Sequence, residues 1–296
     1  MEYRGTIYRP PLEAWTTLIP ITEGCTHNAC TFCNMYRDIP FTMLPLKTLK
    51  KHLEEEKQAM GKACESVERV YFVGGDPFAL SARNLLKRIE LVRSYLPNAA
   101  TFTMYARTNN IAHKSEANLK TLAEAGVNDL YLGVECGLDD VLAYLNKGYT
   151  AKETKEQCLR LGEAGIRHCD LLMVGTAGRG RGLECAEATA RLENEIKPSR
   201  ILVNTMTAFV DTKLDRDIAS AVFHPASERE ILEEEKALLE SLTLPDCWFW
   251  AAHPLDSVSL SGCIGKDRKK MLAQIDWGLA HVDELVIGRT SRTGTL

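Results

Sequence analysis

Residues 16–36 read Thr16-Thr-Leu-Ile-Pro-Ile-Thr-Glu-Gly-Cys25-Thr-His-Asn-Ala-Cys30-Thr-Phe-Cys33-Asn-Met-Tyr36. The apolar, β-branched run Thr16–Thr22 predicts a β-strand, and three cysteines packed into nine residues follow it at once. The seven other cysteines are Cys64, Cys136, Cys158, Cys169, Cys185, Cys247 and Cys263. No two of these stand at a CxxC-like spacing, and each reads as a small buried hydrophobe. A strand that empties into a thiol-rich loop puts those thiols at the carboxyl end of a sheet, where α/β barrels carry their chemistry.

Working outward, the same rhythm repeats. Further strands are predicted over Arg69–Val73, Thr101–Ala106, Asp129–Val134, His168–Val174 and Arg200–Thr205. Helical periodicity fills the intervals at Leu46–Met60, Ala82–Tyr95, Ser115–Ala125, Leu138–Leu145, Ala151–Ala164 and Leu183–Ile196. Gly61, Pro97, Gly126, Gly165 and Pro198 supply stops. Six strand–helix repeats predict an α/β fold, a partial (β/α)6 TIM-like barrel over residues 1–206. Residues 207–296 predict a C-terminal extension packed on it. That extension opens with a charged helix, Ser227–Leu242, whose Ser227 and Glu230 have capping-box spacing. An aromatic stretch from Cys247 to Leu260 and a last helix over Lys266–Ala280 follow.

Thiolates are the usual ligands of iron–sulfur clusters. Three on one short loop can hold three irons of a cubane, leaving the fourth iron open to a ligand that the protein does not supply. Other sets fit the residues as well. Cys25, Cys30 and Cys33 could bind zinc with His27 as the fourth ligand. A scattered cysteine could close the cluster for electron transfer, or the three could stay reduced and unliganded.

The cysteine loop, with aromatic Phe32 just before its last thiol, resembles the radical S-adenosylmethionine (SAM) superfamily. The wider likeness is to the branch holding oxygen-independent coproporphyrinogen oxidase and the Elongator catalytic subunit. Supporting segments follow in order: Gly74-Gly75-Asp76-Pro77, Gly133-Val-Glu135-Cys-Gly137, Asn146-Lys147-Gly-Tyr-Thr150 and Asp170-Leu-Leu-Met-Val-Gly175. The chain departs from the usual pattern twice. Its spacing is Cys-x4-Cys-x2-Cys where Cys-x3-Cys-x2-Cys is usual, and Asp76 stands where a glutamate is commoner.

The resemblance implies a [4Fe–4S] cluster on Cys25, Cys30 and Cys33, with SAM on the open iron. It also implies reductive cleavage to a 5′-deoxyadenosyl radical that takes hydrogen from a substrate. By the same resemblance Gly74, Gly75 and Asp76 meet the methionine amino group. Glu135 serves the ribose or carboxylate, Lys147 and Arg107 reach the carboxylate, Asp170 reads the ribose, and Phe32 lies near adenine. A flavodoxin- or ferredoxin-type reductant and anaerobic chemistry are implied too. The rival readings are a non-catalytic iron–sulfur protein and a zinc-stabilised ligand-binding barrel.

Composition narrows the partners. A net charge of −4 over 296 residues is a poor match to a phosphate backbone, so nucleic acid is not expected. No run is long and apolar enough for a membrane span, and no signal peptide opens the sequence, so a cytoplasmic protein is expected. With no second cysteine cluster, an auxiliary-cluster maturase is not expected. A loop that begins at Cys25 leaves no room ahead of it for a cobalamin domain. The expected substrate is a small molecule, met by some of Tyr105, Asn109, Asn204, Trp248, Trp250, His253, Asp256 and Ser257. Cys263 is a candidate quenching thiol or a plain packed cysteine.

Overall fold

The run predicted as one strand over Thr16–Thr22 splits in two in the computed structural model, which describes residues 3–282. β1 (Thr17–Pro20) pairs parallel within the main sheet, whereas β2 (Thr22–Glu23) turns aside to pair antiparallel with β3 (Thr42–Met43). Pro20, without an amide hydrogen, suits the end of a ladder.

The remaining elements follow the predicted alternation closely. They are α1 (Leu46–Met60), β4 (Arg69–Val73), α2 (Ala82–Arg93), β5 (Thr101–Ala106), α3 (Thr108–Ala112), α4 (Glu116–Glu124), β6 (Leu130–Glu135), α5 (Asp139–Tyr144) and α6 (Ala151–Ala164). Then come β7 (His168–Val174), α7 (Gly182–Ile196), β8 (Arg200–Thr205), α8 (Lys213–Ala219), α9 (Glu228–Ser241), β9 (Trp248–Ala251), β10 (Leu260–Cys263) and α10 (Ile264–His281). The fold is mixed α/β on a mostly parallel eight-stranded sheet, the arrangement of a partial TIM-like barrel. Three strands were not anticipated: β3, β9 within the aromatic stretch, which adds parallel to β8, and β10 at its end, which returns antiparallel on β9. The short helices α3 and α8 were missed as well.

Local chemistry explains the boundaries. Ser81, Ser115 and Ser227 each accept the N3 amide at the start of α2, α4 and α9. At Ser227 the capping box closes, with Glu230 reaching back to the Ser227 amide at 2.8 Å. Gly126 and Gly165 take positive φ where α4 and α6 give way to the next strand.

The chain divides into two compact units. The first takes residues up to Asn28, then Met35–Leu132 and Gln157–His168. The second takes Ala29–Asn34, Gly133–Glu156 and the chain from Cys169 on.

In the first unit β1, β4, β5 and β6 pair parallel. Ile19, Val70, Phe72, Phe102, Met104 and Leu130 are fully buried around them. Tyr71, Tyr105 and Tyr131 meet edge to face at 5.9–6.3 Å. At the amino ends of these strands, buried Glu13 accepts from Arg69 Nη2 at 2.6 Å, Tyr131 Oη at 2.6 Å and Thr16 Oγ1 at 2.5 Å. Arg69 and Arg167 then share Asp129, at 2.9 and 3.0 Å.

In the second unit β7, β8 and β9 run parallel. A core of Cys136, Val141, Leu142, Leu145, Cys185, Met206 and Leu214 forms there, with Phe32 packed against it. Among the described residues no helix is long and apolar enough to cross a membrane.

Candidate cluster and cofactor site

Cys25, Cys30 and Cys33 are partly exposed and not disulfide-bonded, whereas Cys64, Cys136, Cys158, Cys169, Cys185 and Cys247 are buried. The packed-hydrophobe reading therefore suits those six and not the loop cysteines. The two ends of the loop are fastened separately, because Cys25 belongs to the first unit and Cys30 and Cys33 to the second.

On the first side, Gly75 N donates to Gly24 O at 3.0 Å, which lays the carboxyl end of β4 against the start of the loop. A Cβ on Gly75 would come within 2.6 Å of the Tyr36 ring, 2.7 Å of Gly24 O and 2.9 Å of Cys25 Cβ. Gly74, at φ +148°, would drive a Cβ to 1.9 Å from Thr22 Oγ1. Both positions thus require glycine, for close approach to the cysteine loop itself. Asp76 follows, fully buried. One of its oxygens accepts from Thr26 Oγ1, next to Cys25, and the other from Asn110 Nδ2 on α3.

Burial raises the Asp76 carboxyl above its usual range, against the pull of Thr26, Asn110, Arg107 and Lys114. Burial likewise pushes Lys114 down to about 8, with Asp76 opposing. The Lys114 ammonium donates to Phe78 O at 2.5 Å and Asn110 O at 3.2 Å, and lies 4.1 Å from the Phe78 ring centre. Arg107 is buried at the amino end of α3. Burial, aided by Asp76, raises the Cys25 thiol, while the Asn28 and His27 amides and Arg107 oppose it.

On the second side, Thr31 is buried between Cys30 and Cys33. Its amide donates to Leu145 O at 3.0 Å, its hydroxyl to Tyr144 O at 2.6 Å, and its carbonyl accepts from Leu214 N at 3.0 Å. Asn146 Nδ2 holds Ala29 O at 2.7 Å. Glu135 and Lys147 form an ion pair at 2.6 Å, with side chains 9% and 5% exposed. The Lys147 ammonium lies 5.9 Å from the Phe32 ring and 5.6 Å from that of Tyr149. Glu135 holds φ +68°, rare for a residue with a Cβ and a mark of functional sites. Gly133 makes room for the pair, since a Cβ there would sit 2.7 Å from Glu135 Oε1 and 3.1 Å from Lys147 Nζ.

The expected set therefore gathers as two groups: Gly74, Gly75, Asp76 and Arg107 near Cys25, and Phe32, Glu135 and Lys147 near Cys30 and Cys33. Asp170 lies elsewhere in the second unit, as the third residue of β7, facing Glu193 of α7. Cys263 and Trp248 pair with each other, and Trp248 pairs with Arg200, the first residue of β8. Both are thus level with the amino end of β8. Asp256 does lie at the carboxyl end, accepting the amide and hydroxyl of Thr205, the last residue of β8, at 3.0 and 3.1 Å. Ser257 donates to Glu228 at 2.5 Å. Thr26, Asn110, Lys114 and Thr31 carry no motif signal and were missed.

The profile of the radical SAM superfamily matches residues 19–192, more than half of the chain and all three loop cysteines. The chain belongs to the radical SAM superfamily. It is 27% identical to the heme chaperone HemW of Bacillus subtilis over 158 residues, covering 52% of this chain and 41% of HemW. The chain thus spans less than half the length of that relative. Among solved structures it resembles archaeal Elp3 from Methanocaldococcus infernus, with 12% identity and a TM-score of 0.55, covering 89% of this chain and 63% of Elp3. It also resembles the radical SAM methyltransferase TsrM of Kitasatospora setae, solved with cobalamin and a [4Fe–4S] cluster. There the identity is 19% and the TM-score 0.54, covering 70% of this chain and 39% of TsrM.

The donor types on the loop suit the cofactors of that superfamily, although among the described residues no three His, Cys, Asp or Glu side chains stand already gathered as a metal site. The donor set is three partly exposed thiols on one loop, the soft ligands that iron–sulfur chemistry uses. Gly75 brings backbone up to the first of them without a side chain intervening.

Proposed function

We propose that the chain is an enzyme that cleaves SAM reductively and uses the resulting radical on a small molecule. One observation carries the reading. All three loop thiols are partly exposed and lie within the family-matched segment, while the loop on either side is fastened by buried, specific contacts. Cys25, Cys30 and Cys33 would hold a [4Fe–4S] cluster, which with SAM bound supplies the electron and the 5′-deoxyadenosyl radical.

The chain's own part is positioning. Gly74 and Gly75 present backbone beside Cys25, where an ammonium group can be received. The Glu135–Lys147 pair offers an acceptor and a donor 2.6 Å apart, beside the Phe32 ring. A nucleoside with a hydroxyl-bearing sugar and an amino-acid carboxylate has use for both. Arg107 adds a buried positive charge near Cys25. Electrons would come from a small reducing protein, and the chemistry would run without oxygen. The TsrM cluster supports the assignment by fold. Heme handling is not adopted, because the alignment covers 41% of HemW.

The test is direct. Anaerobically reconstituted protein is expected to carry about 4 Fe per chain and to form 5′-deoxyadenosine from SAM and dithionite. Cys30→Ala is expected to lose both. Zinc in place of iron, or an intact cluster that never cleaves SAM, would overturn the reading.

A further inference from the structure

Resting on that reading, the structure assigns Asp76 a role of its own: we propose that it is the positioning residue for the lengthened half of the cysteine loop, acting through Thr26.

Three observations converge. The loop carries one residue more than the usual spacing, and the extra length falls between Cys25 and Cys30, where Thr26 to Ala29 lie. An added residue gives a loop more conformations to lose when its cysteines are fixed, so a lengthened loop needs added restraint. Two restraints are present on the Cys25 side. Asn28 takes φ +44° and ties its side chain to Tyr36 O at 2.7 Å. Thr26 donates its hydroxyl to Asp76.

The second observation is what Asp76 does with its other oxygen. It accepts from Asn110 on α3, so one carboxylate joins three successive strand-end segments, those following β2, β4 and β5. The third is that this carboxylate is fully buried and both of its oxygens are taken. A fully buried carboxylate is retained at a cost unless it is hydrogen-bonded and balanced. Here Lys114 and Arg107 supply the balance. Lys114 is itself anchored through Asn110 O and Phe78 O, and its backbone carbonyl accepts from Arg160 Nη2 at 2.5 Å. The clamp thus has a rigid back and one exposed hook, because Thr26 is the solvent-exposed member.

That exposure makes the test clean. Thr26→Val removes the hydroxyl and keeps the shape, and Thr26→Ser keeps the hydroxyl. In anaerobically reconstituted protein, iron released to a chelator is followed by absorbance, with no SAM present. Thr26→Val is expected to release iron about tenfold faster than wild type, the scale of one hydrogen bond to a carboxylate. Thr26→Ser is expected to match wild type, and both apo-proteins to melt with the wild-type apo-protein. Asp76→Asn is expected to behave as Thr26→Val, and the double variant as Asp76→Asn alone, because one contact is lost in each.

Iron release from Thr26→Val at the wild-type rate would overturn the proposal, as would equal acceleration by Thr26→Ser. If Asp76→Asn fails to fold, the Thr26 pair decides. A wild-type protein that holds no iron–sulfur cluster refutes the functional reading itself. An intact wild-type cluster with an unaffected Thr26→Val refutes only the clamp.

Discussion

Glu135 and Asp170 are both carboxylates in apolar strands, and they have opposite fates. Glu135 ends β6 and meets Lys147 beside the loop cysteines. Asp170 lies within β7 and meets Glu193 on α7, both fully buried. Nothing in the sequence separates the two cases. A parallel strand covered on both faces reads as a continuous apolar run, so the face an inserted carboxylate takes is not encoded in the alternation. Glu135 and Lys147 were legible because they stand in the motif segments Gly133–Gly137, at the end of β6, and Asn146–Thr150, between α5 and α6.

The Asp170–Glu193 contact makes a prediction of its own. Burial first, then the Asp170 charge, pushes the Glu193 carboxyl well above the usual carboxylate range. For such a group the stabilising contribution is complete below the unfolded value and is lost as pH rises towards the folded one. Wild-type stability is therefore expected to decline from about pH 5 upwards through this group. Glu193→Gln, which cannot ionise, is expected to remove that decline and to gain about 1–2 kcal/mol at pH 8. Urea melts of both proteins at pH 5 and pH 8 check it; parallel pH dependence would show that Glu193 is not the group responsible.

At the scale of elements, legibility followed periodicity. Helices of nine residues or more were placed to within a turn because their apolar stripes and serine caps agree. α3, five residues long, has too few turns to show a period, yet it contributes Asn110. β9 was hidden by burial: Trp248 is exposed, Phe249 and Ala251 buried and Trp250 in between, an alternation masked by three consecutive large aromatics.

The α9 start was legible and carries more than a cap. Glu230 closes the box on Ser227 and also accepts Gly180 N at 2.7 Å, while Glu234 accepts Gly175 N at 2.8 Å. One helix face thereby holds both ends of the glycine-rich turn between β7 and α7. Ser227→Ala is expected to cost about 1 kcal/mol. Glu230→Ala should cost more, because the Gly180 amide loses its acceptor too. Thermal melts rank the pair, and equal losses would mean that the Gly180 contact contributes nothing.

Across the whole molecule, the chemistry-bearing residues and the stabilising ones sit at opposite ends of the first-unit strands. The glycines and Asp76 follow the carboxyl end of β4. Glu13, Arg69, Asp129 and Arg167 cross-link the amino ends of β1, β4 and β6. None of these four was picked out from the sequence, because their partners are up to 118 residues away and form no motif. Burial alone would raise both carboxyls, but it is outweighed by Arg69 on Glu13 and by Arg167 with Arg69 on Asp129, so both lie below the usual carboxylate range. A depressed carboxyl stabilises fully above its unfolded value, and that contribution disappears as pH falls through the folded one. The acid limb of wild-type unfolding, starting below about pH 4.5, should carry this signature.

Arg69→Met strips Glu13 of its ion partner while leaving Thr16 and Tyr131 as donors, and leaves Asp129 to Arg167. Removing one member of a buried pair costs about 3–5 kcal/mol, with the lower end fitting here because Arg69 is itself 28% exposed. The variant is expected to melt earlier at pH 7 and to show a shallower acid limb, since Glu13 then titrates nearer its ordinary value. It is also expected to take up iron like wild type, because nothing at the carboxyl ends has changed. Loss of iron uptake in a folded Arg69→Met protein would mean that the two ends are coupled. A wild-type melting midpoint at pH 7 would mean that the amino-end network is not what stabilises this unit.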